Sequence, residues 1–227
     1  FQDEGWFPPA GGYRFGYAFD DALSPGDSGT VNLLVMSFPE LEGGIRAVHA
    51  VRTRDSGGTW EYIRNLNEEF GFAFNESALL PWGDGFVMIT RGDDQVTHAV
   101  RTDADFRLLG KENLSARHDE IEYIGRPELF MQDGRCYLLC RNIAKGKKTG
   151  TLELFRLDPD TLTLQGNVRL DENESPAGDS YYAEHYMAER NGRLYFNAIT
   201  YVPKSAADKP DIVRLEYDWE ELRSIIG

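Results

Sequence analysis

The chain repeats itself, and the repeat restricts its possible folds more than any other feature. His49-Ala50-Val51-Arg52-Thr53 recurs as His98-Ala99-Val100-Arg101-Thr102, 49 residues later. A second pattern precedes each copy: a strand carrying a Glu, a tight turn, then an apolar strand. It reads Asn75-Glu76-Ser77-Ala78-Leu79-Leu80, Gly83-Asp84-Gly85, then Phe86 to Arg91. It returns as Arg126-Pro127-Glu128-Leu129-Phe130, Asp133-Gly134, then Cys136 to Arg141. A third copy runs Tyr182-Ala183-Glu184-His185-Tyr186, Asn191-Gly192, then Leu194 to Ile199. Asp-Gly and Asn-Gly between apolar runs mark two-residue hairpins, whose central residues need positive φ. The glutamates are 52 and 56 residues apart, a period that matches four-stranded propeller blades.

The predicted fold is therefore all-β: a β-propeller of four-stranded antiparallel blades, spanning 1–227 as a single domain. Strands are expected over 12–19, 31–38, 45–53 and 60–63 in the first blade. Further outer strands fall at 97–101, 106–109, 151–157, 163–170 and 211–217, giving about four blades in this chain. A ring of five or six is expected for the complete propeller, because an open one exposes strand edges, so N-terminal blades are expected to be missing. Helical periodicity is confined to 218–226. Lys145-Gly146-Lys147-Lys148 and the segment from Pro203 to Pro210 read as long hairpin loops.

The net charge of −14 argues against a nucleic-acid partner, since phosphate binding needs a basic face. No run approaches the roughly 18 apolar residues of a membrane span. The chain starts at Phe1 with no initiator Met, which suggests a processed or truncated product; a secreted or periplasmic place is favoured. Cys136 and Cys140 share a strand face about 13 Å apart, too far for a disulfide, and read as buried small hydrophobes. The four histidines are scattered, so no metal site and no cofactor are expected; His49 and His98 read as packing residues, and His185 as a residue between blades. Asn75, Asn113 and Asn173 begin chance glycosylation sequons.

Thr53-Arg54-Asp55-Ser56-Gly57-Gly58-Thr59-Trp60 satisfies Ser/Thr-x-Asp-x-Gly-x-Thr-Trp at every position. Asp55 can accept hydrogen bonds from the turn backbone, Gly57 can take positive φ, and Trp60 can pack between blades. With this motif the chain resembles the sialidase-like Asp-box (BNR-repeat) propellers over nearly its whole length. Thr102-Asp103-Ala104-Asp105-Phe106 looks like a degenerate second box. Gly178-Asp179-Ser180-Tyr181-Tyr182-Ala183 looks like the family's tyrosine segment. The resemblance implies three arginines on a substrate carboxylate, a Tyr nucleophile assisted by Glu, and an Asp acid/base. The first Arg and the Asp have no counterpart here.

The inner strands carry the candidate chemistry. Glu76 with Tyr182 or Tyr181 are the catalytic candidates, the glutamate deprotonating the phenol. Arg91, Arg126, Glu128 and Glu184 are the substrate-binding candidates, the arginines holding a carboxylate in bidentate fashion. Tyr181 and Tyr182 face opposite ways in a strand, so only one can serve; Tyr182 shares parity with Glu184. A ring of carboxylates salt-bridged to arginines is the structural alternative for the same residues.

Three functions fit these residues, and all take a glycan as ligand. The first is an exo-acting, sialidase-like glycoside hydrolase on a terminal acidic sugar. The second is a carbohydrate-binding or scaffold propeller without catalysis. The third is a five-bladed glycosidase or polysaccharide lyase using Glu76, Glu128 and Glu184.

Overall fold

The computed structural model describes residues 13–18, 24–25, 29–39, 46–172, 181–202 and 209–227. The segments at 173–180 and 203–208 lie outside these residues. With them go Asn173, Gly178-Asp179-Ser180 and most of the second long loop. The chain divides into two compact units, Phe1–Glu112 and Asn113–Gly227.

The first unit holds β1 (Tyr13–Ala18), β2 (Ser24–Pro25), β3 (Val31–Pro39), β4 (Ala47–Thr53) and β5 (Glu61–Asn65), followed by α1 (Leu66–Phe70). Its second sheet is β6 (Phe74–Trp82), β7 (Gly85–Gly92), β8 (Thr97–Asp103) and β9 (Leu108–Asn113). The first sheet runs β1-β3-β4-β5 with β2 beside β3, and the second runs β6-β7-β8-β9. Each is the four-stranded up-and-down unit expected, with boundaries within two residues of the expected ones in the first blade. Leu34, Met36, Val48 and Ala50 of the first sheet share one core with Leu79, Phe86, Met88 and Val100 of the second.

The second unit opens with α2 (Leu114–Arg117), then β10 (Tyr123–Gln132), β11 (Arg135–Ile143), β12 (Thr151–Asp158) and β13 (Thr163–Glu172). It ends with β14 (Glu184–Arg190), β15 (Arg193–Val202), β16 (Asp211–Asp218) and α3 (Trp219–Ile226). The sheet β10-β11-β12-β13 has four strands, and β14-β15-β16 has three among the described residues. In place of an outer strand, α3 lays Trp219, Leu222 and Ile226 into the core with Tyr137, Leu139, Leu154 and Phe196. Trp219 is fully buried, and its indole N–H donates to Asp133 at 2.7 Å. Burying an apolar side chain of this kind contributes about 2–3 kcal/mol.

The turns carry the repeat. Asp133-Gly134 and Asn191-Gly192 take positive φ at both centres, the geometry of a type I′ hairpin. An aspartate closes the end of every third strand. Asp55 accepts from Thr53 Oγ1 at 2.7 Å, Thr59 N at 2.8 Å and Thr59 Oγ1 at 2.9 Å. Asp103 accepts from Asp105 N and Arg107 N at 2.9 and 2.8 Å, and Phe106 stacks on Phe86 in the core. Asp158 accepts from Asp160 N and Thr161 N. Asp218 accepts from Glu220 N and Glu221 N and so caps α3.

Two helical turns were not expected. α1 and α2 follow the outermost strands β5 and β9, and each is capped by an asparagine side chain, Asn65 or Asn113. Four or five residues are too few to show a 3.6-residue period. Cys136 and Cys140 are buried, free thiols; burial pushes the Cys136 thiol up to about 12. No helix among the described residues is long and apolar enough to cross a membrane.

Candidate functional site

The innermost strands of the two units share a local defect. The pairing of β6 with β7 slips between Phe74 and Ser77, and that of β10 with β11 slips between Gly125 and Glu128. Such bulges re-aim side chains, and the candidate residues cluster on them. Counted back from the hairpin turns, Glu76 lies six residues before Trp82 and Arg126 six before Gln132, so these two are equivalent. On the partner strands, Arg91 lies six after Gly85 and Arg141 six after Arg135. Glu184 stands six before Arg190 and opposite Ile199, in the same position as Glu76. Glu128 lies only four before Gln132. The expected equivalence of the three glutamates therefore holds for Glu76 and Glu184, and Glu128 is displaced by one pleat.

In the first unit the two positions neutralise each other. Arg91 Nη1 lies 2.6 Å from Glu76 Oε2, with side chains 17% and 12% exposed. Beside them, Asn75 donates to Asp93, which also receives Arg46 at 3.2 Å. The Glu76 backbone N–H donates to Asn75 Oδ1 at 2.6 Å.

In the second unit both positions carry arginine. Arg126 adopts φ +48, a left-handed conformation that costs a side-chain-bearing residue about 1–2 kcal/mol. Arg141 is 4% exposed and is threaded between two glycines. A Cβ on Gly125 would stand 2.5 Å from Arg141 Nη2, and one on Gly150 would stand 3.0 Å from its Cγ. The Tyr182 ring faces both cations, with Arg126 Cζ 5.0 Å and Arg141 Cζ 5.3 Å from its centroid. Tyr201 stacks on Tyr182 at 5.2 Å and 17°, and Tyr123 lies 5.9 Å from Arg141 Cζ.

The two tyrosines precede β14, with Tyr181 at φ +64, so strand parity does not apply to them, and they occupy different settings. Tyr181 is fully buried in the core, and its hydroxyl donates to Asp171 Oδ2 at 2.9 Å. Burial first, and this hydrogen bond second, push its phenol well above the usual range. Glu128 is also committed locally. One carboxylate oxygen meets His185 Nδ1, and the other accepts the His185 backbone N–H at 3.1 Å. His185 stacks on Phe130 at 3.8 Å and lies 5.6 Å from Phe196, which places it between the two sheets of its unit, as expected. Glu184 is exposed. Glu76 and Arg91 belong to the first unit, and Tyr182, Arg126 and Glu128 to the second.

Arg141 was missed by sequence reasoning, although a signal exists: Ile89-Thr90-Arg91 and Leu139-Cys140-Arg141 stand equally far from their turns. Among the described residues no three His, Cys, Asp or Glu side chains form a metal-binding group. What the second unit offers is a half-buried aromatic ring flanked by two guanidinium groups. A guanidinium fork binds a carboxylate, and an aromatic face accepts cations and apolar C–H surface.

No family model matches the chain, and no curated protein matches it. Solved structures do. A Dyadobacter fermentans protein of unknown function aligns over 86% of this chain and 52% of its own, at 17% identity and TM-score 0.63. An α-L-arabinofuranosidase of Clostridium thermocellum aligns over 88% of this chain and 68% of its own, at 13% identity and TM-score 0.59. The GH32 β-fructofuranosidase of Bombyx mori aligns over 93% of this chain and 49% of its own, at 16% identity and TM-score 0.55. The chain thus spans about half the length of the first and third of these proteins. At such identities the likeness establishes architecture: the chain has the β-propeller fold, built of antiparallel, mainly four-stranded blades.

Proposed function

We propose that this propeller belongs to a glycoside hydrolase acting on a terminal acidic sugar, with the sugar carboxylate held by Arg126 and Arg141. One observation carries the reading: the Tyr182 ring faces both guanidinium groups of the second unit. Sugar recognition is supported by the neighbours, among which are an arabinofuranosidase and a fructofuranosidase. Acidity of the sugar is supported by charge, since two arginines at one ring select an anion even in a chain of net charge −14. Tyr182 is the nucleophile in this proposal. Tyr181, buried and donating to Asp171, is left to the core. Glu184, exposed at the start of β14, is kept in the proposal as a substrate contact, whereas Glu76 and Arg91 pair with each other in the first unit.

The test is release of 4-methylumbelliferone from an α-sialoside, a β-glucuronide and a neutral α-L-arabinofuranoside. An acidic glycoside should be cleaved, with activity lost in Tyr182→Phe and reduced in Arg141→Lys. Cleavage of the neutral arabinofuranoside alone would overturn the reading.

A second reading is a propeller that binds acidic glycans without cleaving them. It is favoured by the Glu76–Arg91 pair and by the engagement of both Glu128 oxygens with His185, which leave these carboxylates in structural roles. It expects glycan binding with no release from any of the three substrates. The same pairings weigh against a mechanism resting on Glu76, Glu128 and Glu184 together.

A further inference from the structure

We infer that Glu128 and His185 form a register pin that holds Tyr182 in place over Arg126 and Arg141. The inference rests on the acidic-sugar reading only for its functional consequence. Strand β10 supplies two contacts to the segment entering β14, and they are two residues apart. Arg126 meets the ring of Tyr182, and Glu128 meets both the ring and the backbone N–H of His185. The bulge between Gly125 and Glu128 separates the two contacts, with Arg126 in it and Glu128 at its end. One strand therefore grips the neighbouring sheet at two points, on either side of Ala183 and Glu184.

The grip on His185 is the stronger. A carboxylate that accepts from both a backbone N–H and a ring nitrogen makes charge-assisted bonds in a largely buried setting, with side chains 10% and 16% exposed. Phe130 and Phe196 hold the imidazole in plane between the sheets. The contact at Tyr182 is softer, because guanidinium over aromatic allows sliding. Tyr182 stands two residues ahead of β14, so a slip of that strand against β10 would draw the ring away from Arg126 and Arg141. The Glu128–His185 joint opposes that slip. It makes both residues positioning residues, with no contact to the sugar.

Two substitutions separate hydrogen bonding from packing. His185→Asn retains a donor near the place of Nδ1, and His185→Phe retains the stack but loses the donor; Glu128→Gln weakens the joint from the other side. The first readout is nitration of Tyr182 by tetranitromethane, followed by mass spectrometry of its peptide, in the full chain. The second is the affinity for sodium glucuronate. Nitration of Tyr182 should rise about tenfold in His185→Phe and Glu128→Gln, and stay near wild type in His185→Asn. Glucuronate affinity should fall and recover in the same order. If nitration is unchanged in His185→Phe and Glu128→Gln while thermal stability falls, the pair is only structural and the inference is overturned. If the nitration pattern holds but wild type binds no glucuronate, the pin stands and the functional reading fails.

Discussion

The strand pairs β6–β7 and β10–β11 each have a two-against-one bulge, one residue apart when counted from the hairpin turn, yet they carry different side chains there. Glu76 and Arg91 in the first unit form an ion pair. Arg126 and Arg141 occupy the equivalent positions of the second, and the group common to them is the Tyr182 ring. A propeller repeats its backbone more faithfully than its chemistry. In the first unit the repeat ends in an ion pair; in the second it ends in two guanidinium groups that meet at one aromatic ring. Gly125 and Gly150 make room for Arg141 in the second unit.

The largest expected effect comes from making the second unit imitate the first. Arg126→Glu places a carboxylate where Glu76 stands in its own unit, within reach of an arginine equivalent to Arg91. Affinity for an acidic sugar should fall by at least about a hundredfold, measured by calorimetric titration, with the fold intact by circular dichroism. Retained affinity would break the comparison.

The reverse dissection comes next. Arg91→Ala leaves Glu76 half-buried without its ion-pair partner, and should destabilise the chain by about 2–3 kcal/mol in urea unfolding. Sugar affinity should not change. If it does, the first unit also contributes to recognition.

How much of this was legible from the sequence follows the range of each interaction. Hairpins, strand limits and blade count were readable because turn chemistry and period-two patterning are local: Asp133-Gly134 and Asn191-Gly192 fold as their residues demand. The aspartates after the third strands were partly readable; the motif at 53–60 is complete, and 102–106 keeps the Asp without the Gly and Trp. The place of Glu128 was misjudged because the glutamates were aligned by residue type and not counted back from their turns: Glu128 lies four residues before Gln132, and Glu76 six before Trp82. Arg141 was readable from its distance to the turn, which equals that of Arg91, but its contact with Tyr182 and the Glu128–His185 joint were not. These depend on how one sheet packs on the next, and no strand periodicity encodes that.

Acidity offers a third contrast. His49, fully buried with its Nε2 2.6 Å from Ser37 Oγ, has its pKa lowered by burial from 6.5 to about 4; His98 is lowered in the same way. The unfolded chain therefore takes up protons that the folded first unit refuses. The neutral His49 stabilises fully above pH 6.5, and that stability is lost as pH falls towards 4, by at most about 3 kcal/mol. Hydrogen exchange at pH 7 and pH 4.5 should show β3 and β4 losing protection before β10 and β11; the reverse order would count against the contrast.

The smallest effect concerns the turn at 53–60. Hydrogen bonds from Thr59 and Thr53 lower the Asp55 carboxyl to about 2. Its contribution is complete above the ordinary carboxylate range near 4 and is lost as pH falls towards 2. Asp55→Asn should lower the Tm by a few degrees at pH 7 and by less at pH 2.5, with sugar affinity unchanged.

The central claim is that the second unit reads a carboxylate through Arg126 and Arg141. Its most direct test is calorimetric titration of the wild-type chain and of Arg141→Met with glucuronate and with glucose, which differ only at the carboxylate carbon. Binding of glucuronate but not glucose, abolished in Arg141→Met, is the expected result; equal binding of the two sugars, or glucuronate binding that survives in Arg141→Met, would contradict it.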